Sequence, residues 1–183
     1  DNILANFVDP LLIGLLEENN GDTAVLSIEK ADPDERVGVI CLKDGKVGIV
    51  EYTEISKEMA HMRDDYGALV YGDSNSNMYC YSLETLEKVS DEELPYHAAF
   101  KKADYLDKNG KFIKVNEPNA YKFESFIFDS FEMIDTVLVV RDQREDMFAP
   151  IKNKEGTDSP ETAKKLYIDF HLKEKYLSKY RSW

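Results

Sequence analysis

Positive charge is in short supply relative to negative in this chain. Lys and Arg number 23 against 36 Asp and Glu in 183 residues, a formal net charge of −13. A surface with that balance repels polyphosphate backbones and anionic bilayers, which argues against non-specific nucleic-acid or membrane-surface binding. It leaves room for a phosphorylated small molecule, which an acidic protein can hold through a metal ion and a few local Lys or Arg. Cysteine is scarce as well. Cys41 and Cys80 stand far apart in apolar or aromatic surroundings, too few for a disulfide framework and without a zinc-ligand partner beside either. Buried free thiols in a reducing, cytoplasmic compartment are the expectation. No apolar run reaches the length of a membrane span. No signal peptide is visible and the first residue is Asp1 rather than Met, so the chain reads as cut from something longer.

Aromatics, by contrast, are plentiful, with 11 Tyr and 9 Phe, and the length suffices for one domain with a real core. The organising stretch is a β-rich run over 37–42, the tetrapeptide Lys43-Asp44-Gly45-Lys46, and a second run over 47–54. Asp-Gly between such runs reads as a hairpin turn, because Gly supplies positive φ without steric cost. The second run carries Glu51 and Glu54, carboxylates at a strand end that could grip ligand hydroxyls or merely be solvated. Around this hairpin, Asp9-Pro10 reads as an N-cap and first helical residue for 11–18, and 23–28 as a strand. Asp32-Pro33-Asp34 is a turn. Residues 56–63 read as a helix, 68–71 as a strand, and 72–77 as a polar loop. Ser82 caps a helix through 89, and His97 falls between helical segments. Asn109-Gly110 turns a second hairpin over 105–115. Phe123, Phe126, Ile127 and Ser130 have helical spacing, and 136–140 is an apolar strand. A charged loop over 141–153 leads to a helix from 158 to about 182, with Leu166, Phe170 and Leu177 inward. The pattern is α/β or α+β with a mixed sheet.

These pieces in this order resemble the eukaryotic UDP-N-acetylglucosamine pyrophosphorylases, or UDP-N-acetylhexosamine uridylyltransferases. The resemblance is carried by Asp1-Asn2-Ile3-Leu4, Asp9-Pro10, Ile13-Gly14, Val37-Gly38-Val39, residues 50–56 and Asn75. Further along it is carried by His97 with Lys101-Lys102, Pro118-Asn119, Phe126-Ile127-Phe128-Asp129, Arg144-Glu145 and residues 148–153. It spans nearly the whole chain and weakens after about Ala163. No single motif decides it; order and spacing do. The Gly-rich phosphate loop of that family has no counterpart among the nine scattered glycines. The implied fold is therefore the sugar-binding half of a mixed-sheet nucleotide-diphospho-sugar transferase (Rossmann-like) fold over 1–183. The nucleotide-binding half would precede Asp1, and a small β-rich domain would follow Trp183.

The resemblance implies transfer of a uridylyl group from UTP to N-acetylglucosamine-1-phosphate, giving UDP-N-acetylglucosamine and pyrophosphate. Mg²⁺ (or Mn²⁺) would offset the crowded phosphates, with Asp1 as its carboxylate ligand. Glu51 and Asn75 would hold sugar hydroxyls, Phe126 and Phe128 would wall the N-acetyl group, and Lys152 would meet the transferring phosphate. Around Asn75 the chain departs from the family pattern, with Ser74 before it and Asn77-Met78-Tyr79 beyond Ser76; Lys154-Glu155 depart likewise after Asn153. The rival enzyme reading is a UDP-glucose or broad UDP-sugar pyrophosphorylase. A rival of another class is a non-catalytic interaction module derived from this half of the fold. His97 has no assigned chemistry, and no Ser-His-Asp or Cys-His constellation is visible.

Overall fold

The computed structural model describes residues 1–178. Helix α1 (Pro10–Glu18) starts as its sequence dictates, with Asp9 accepting from the Leu11 and Leu12 N–H groups and Pro10 at the first helical position. It covers one face of a five-stranded sheet of order β3-β2-β4-β1-β9. The strands are β1 (Thr23–Glu29), β2 (Val39–Lys43), β3 (Lys46–Val50), β4 (Asp73–Tyr81) and β9 (Val137–Asp142). β1 runs antiparallel to β4 and parallel to β9, so the sheet is mixed. β1 is buried on both faces. Ala24, Leu26 and Ile28 pack with Leu12 and Leu16 of α1, and Val25 packs with Ile40, Ile49, Phe128 and Phe131 on the other side.

The β2–β3 turn takes positive φ at Asp44 and Gly45 (53° and 83°), the type I′ geometry that matches strand twist. Helix α2 (Lys57–Ala60) and helix α3 (Leu83–Ser90) are capped by Ser56 and Ser82, each accepting from the backbone N–H three residues on. Beyond α3 lie two small ribbons. β5 (His97–Lys101) pairs antiparallel with β8 (Ala120–Glu124), and β6 (Tyr105–Leu106) pairs with β7 (Phe112–Ile113) around Gly110. Pro118-Asn119 marks the return, where the Asn119 side chain bonds both the N–H and the carbonyl of Ala103. A 3₁₀ helix (Ile127–Met133), short helix α4 (Arg144–Met147) and long helix α5 (Pro160–Ser178) complete the chain. No helix among the described residues is long and apolar enough to cross a membrane. Cys41 and Cys80 are free and only half-buried.

Several expectations fail here, for stated reasons. The polar stretch 72–77 is not a loop but the start of β4, and Ser74, Asn75 and Ser76 are buried. Their polarity is absorbed across the sheet: the Ser74 hydroxyl donates to the Ile28 carbonyl and the Ser76 hydroxyl to that of Leu26. Residues 68–71 supply only a bridge between Arg63 and Leu69. The strand expected to reach Glu54 stops at Val50, because 51–55 fold into a turn closed by Glu54 and Ile55 N–H groups on the Glu51 carbonyl. The helix expected from Phe123 begins only at Ile127, since Phe123 is strand-paired with Ala98. His97 therefore sits on a strand, not between helices. The charged loop over 141–153 contains the end of β9 and all of α4. α5 buries Ala163 with Leu166 and Phe170 half-buried beside it; positions 179–182 of the expected helix lie outside the described residues.

Candidate functional site

A cleft of about 310 Å³ opens where the ends of β3 and β4 meet the N-terminal residues and the segment after α4. Glu51 reaches it from the turn after β3. Its carboxylate lies over Gly38: a Cβ at that position would stand 2.9 Å from Glu51 Oε1 and 2.9 Å from Ile49 Cγ2. Burial pushes the Glu51 carboxyl upward, Glu54 adds to the rise, and His97 opposes it.

Asn75 enters from β4, where the register against β1 shifts between Leu26 and Ser27 and leaves Ser76 and Asn77 as extra residues. Asn77 is left-handed at φ 59°, a conformation Asn tolerates well. The Asn75 amide is nearly consumed locally. Its Nδ2 donates to Asn77 Oδ1 (2.9 Å) and to the Tyr79 hydroxyl (2.6 Å), which in turn donates to Asn77 Oδ1. Its Oδ1 accepts from the Asn77 N–H, leaving one lone pair. The free donors of this triangle belong to Asn77, which also lines the cleft.

Asp1 and Lys152 come from opposite ends of the sequence and meet through backbone pairing. Asn2 bridges Pro150, the Ile151 N–H donates to the Asp1 carbonyl at 2.9 Å, and the Asn2 side chain bonds Met147 and Ala149. The start of the chain is thus tied down. Lys152 lies with its ammonium 5.4 Å from the Phe148 ring centroid and 3.9 Å from Asp158 Oδ2. Asp158 is thus a loose ion-pair partner, and Lys152 lines the cleft as a cation. Arg144, which carries part of the family resemblance, is occupied instead: it bonds the Glu29 carbonyl and pairs with Glu35.

Phe126 and Phe128 do not line this cleft. Their rings stack at 4.8 Å and 12°, and Phe128 is 4% exposed within the core beneath β2 and β3. They connect to the cleft through His97, whose ring lies 5.0 Å from Phe126 and bonds Glu54 at 2.9 Å.

The profile described as UTP–glucose-1-phosphate uridylyltransferase matches residues 1–159. The chain belongs to that family. It is 37% identical over 178 residues to the human UDP-N-acetylhexosamine pyrophosphorylase-like protein 1, a match covering 94% of this chain and 35% of the relative. Against the UDP-N-acetylglucosamine pyrophosphorylase of Saccharomyces cerevisiae the identity is 35%, covering 92% of this chain and 37% of the relative. The Trypanosoma brucei uridine diphosphate N-acetylglucosamine pyrophosphorylase, solved with an inhibitor, superposes with a TM-score of 0.71 at 33% identity. That match covers 91% of this chain and 33% of the other. The chain thus spans little more than a third of the length of the curated relatives it matches.

Within this uridylyltransferase-family fold the structure brings Asp1, Glu51, Asn75 and Lys152 to one cleft and sets Phe126 and Phe128 behind it. Sequence reasoning missed three of its features. Arg36 lines the cleft as a second cation, but an Arg in the polar stretch after Asp32-Pro33-Asp34 carries no signal of its own. Asn77 lies in a polar run whose composition looks like a loop. Gly38 was read only as part of a strand motif, although a Gly between β-branched residues in a strand is a pointer to close approach.

Proposed function

We infer that this chain is the sugar-side portion of a uridylyltransferase that joins UTP to N-acetylglucosamine-1-phosphate, releasing pyrophosphate and UDP-N-acetylglucosamine. The observation that carries the reading is the convergence of Asp1, Glu51, Asn75 and Lys152, far apart in sequence, on one cleft. The relatives at 35–37% identity are named for N-acetylglucosamine or N-acetylhexosamine, whereas the family description names glucose-1-phosphate. That difference favours the N-acetylated sugar and keeps glucose-1-phosphate as the rival substrate.

The chemistry asked of these residues is positioning and charge neutralisation in an in-line phosphoryl displacement. Glu51 accepts hydrogen bonds from vicinal hydroxyls and repels a misplaced phosphate, while Asn77 donates and Asn75 accepts. Lys152 and Arg36 offset the charge of the sugar phosphate. The described residues hold no cluster of three or more His, Cys, Asp or Glu side chains able to bind a metal. Asp1 alone, beside bound phosphates, fits the sparse protein ligation that Mg²⁺ accepts, and the ion would supply charge neutralisation there. A nucleotide-holding part of the fold would lie outside these residues. In support, β4 pairs with β2 only at Ser74, and its outer edge beyond meets no other strand among the described residues.

Assaying the full-length protein that carries this chain with UTP and N-acetylglucosamine-1-phosphate, N-acetylgalactosamine-1-phosphate or glucose-1-phosphate tests the reading. The N-acetylglucosamine ester should give the highest kcat/KM. Equal use of glucose-1-phosphate would remove the N-acetyl assignment, and no turnover of any ester would favour the non-catalytic module.

A further inference from the structure

His97 stands behind the cleft rather than in it. Its Nδ1 lies 2.9 Å from Glu54 Oε1 and its Nε2 lies 3.0 Å from Asp129 Oδ2. Glu54 closes the turn headed by Glu51, whose carbonyl accepts from the Glu54 and Ile55 N–H groups. Asp129 follows Phe128 directly, and its own N–H is held by the Phe126 carbonyl at 3.0 Å. One imidazole therefore joins the turn that aims Glu51 to the 3₁₀ helix that carries Phe128. Both of its partners are carboxylates, which only accept. A neutral imidazole has a single N–H and can serve one of them; an imidazolium serves both.

We propose that His97, as an imidazolium, is a positioning residue that clamps the Glu51 turn to the 3₁₀ helix and so fixes the Glu51 carboxylate for a sugar hydroxyl. The proposal rests on reading the cleft as a sugar-phosphate site. The turn and the 3₁₀ helix both present acid to His97. Glu51 and Glu54 come from the turn, Asp129 from the 3₁₀ helix, and Glu124 from the position opposite on β8, where Lys122 on the same strand pairs with it. Burial works against the charged ring, but the hydrogen bonds it donates to Glu54 and Asp129 outweigh it and hold the imidazole above its ordinary range. Below that raised value the clamp is closed, and it opens as the pH climbs through it.

Hydrogen–deuterium exchange on the unliganded full-length protein reads the clamp without any substrate. His97→Ala should speed exchange at the Glu54 and Ile55 amides about tenfold, the scale of one charge-assisted hydrogen bond. Glu54→Ala, at an exposed position, removes the same bond from its other end, together with the longer bond that Glu54 Oε2 accepts from the Glu51 N–H at 3.3 Å, and should speed exchange at least as much even where His97→Ala folds poorly. Steady-state kinetics reads the consequence. His97→Ala should raise KM for N-acetylglucosamine-1-phosphate about tenfold while kcat changes less than about threefold, because binding is lost but the phosphoryl chemistry is not. In the wild type that KM should climb with rising pH. In His97→Gln, which keeps amide donors and does not titrate, it should stay flat. Unchanged exchange in both alanine variants, or the same KM–pH profile in wild type and His97→Gln, overturns the proposal. If the amides respond as stated but the wild type uses no sugar-1-phosphate, the clamp stands and the sugar assignment falls.

Discussion

Glu51 can occupy its place only because Gly38 has no side chain. A methyl group there would meet Glu51 Oε1 and Ile49 Cγ2 at 2.9 Å each, so both must give. The carboxylate yields more readily than the strand-borne isoleucine. Gly38→Ala is therefore expected to raise the sugar-1-phosphate KM about tenfold with a stability loss of about 1–3 kcal/mol, the usual cost of overpacking; kinetics and denaturant titration on one preparation separate the two. Lys152 makes the opposite kind of contribution. Its ammonium pairs only loosely with Asp158, at 3.9 Å, so Lys152→Ala should leave folding almost intact and lower kcat about 10²–10³-fold, the typical loss for a preorganised charge contact. A near-wild-type rate would take Lys152 out of the site. Glu51, Asn75 and Lys152 were each visible in the sequence as residue types in a family pattern. Arg36 and Asn77 were not, since an exposed Arg and an Asn in a polar run look the same whether they face a cleft or bulk water.

Among the elements, the most informative is the 3₁₀ helix with its stacked phenylalanines. Phe128 belongs to the core, so Phe128→Ala should cost about 3–5 kcal/mol by denaturant titration, as for other buried aromatics. Phe126 is only half-buried. Phe126→Ala should cost less stability and instead change the ratio of kcat/KM between N-acetylglucosamine-1-phosphate and glucose-1-phosphate, by no more than about 1–3 kcal/mol of discrimination. If Phe126→Ala leaves that ratio untouched, the aromatic pair is purely a packing device. Helix starts and tight turns are legible along the chain. Asp9-Pro10, Ser56, Ser82, Asp44-Gly45 and Asn109-Gly110 act through bonds to neighbours within a few residues, so their structure is written locally. β4 was misread because Asp73, Ser74, Asn75 and Ser76 are turn formers in isolation. They become strand only when carbonyls of β1, nearly 50 residues earlier, accept the Ser74 and Ser76 hydroxyls.

For the whole molecule, pH dependence follows from groups of opposite sign. Asp22 lies below the usual carboxylate range, chiefly because it accepts from the Thr136 N–H, with Asp135 and Thr85 assisting against burial. For Asp73 burial pushes upward, but hydrogen bonds from Arg141 and Ser27 outweigh it and the net shift is down. Their stabilisation is complete above the ordinary carboxylate pKa of 3.8 and fades as the pH falls through the lowered folded values. His97 is raised, so its contribution is complete below its unfolded value of 6.5 and fades as the pH rises through the folded one. The denaturation midpoint should therefore be highest between these limits and fall on both sides. His97→Gln should remove much of the alkaline fall and leave the acid limb in place. An alkaline limb identical in the variant would show that His97 is not its source.

The sequence by itself determined the local grammar of this protein: the caps, the turns, the acidic surface and the family membership that order and spacing announce. These depend on residues that act on near neighbours or on bulk composition. Tertiary structure alone decided that Asp1 pairs beside Lys152, that a polar run is a buried bulged strand, and that Gly38 admits a carboxylate. It also decided that one histidine bridges two acids from separate elements. Each of these is a contact between segments distant in the chain, and its energy exists only once the intervening residues have folded.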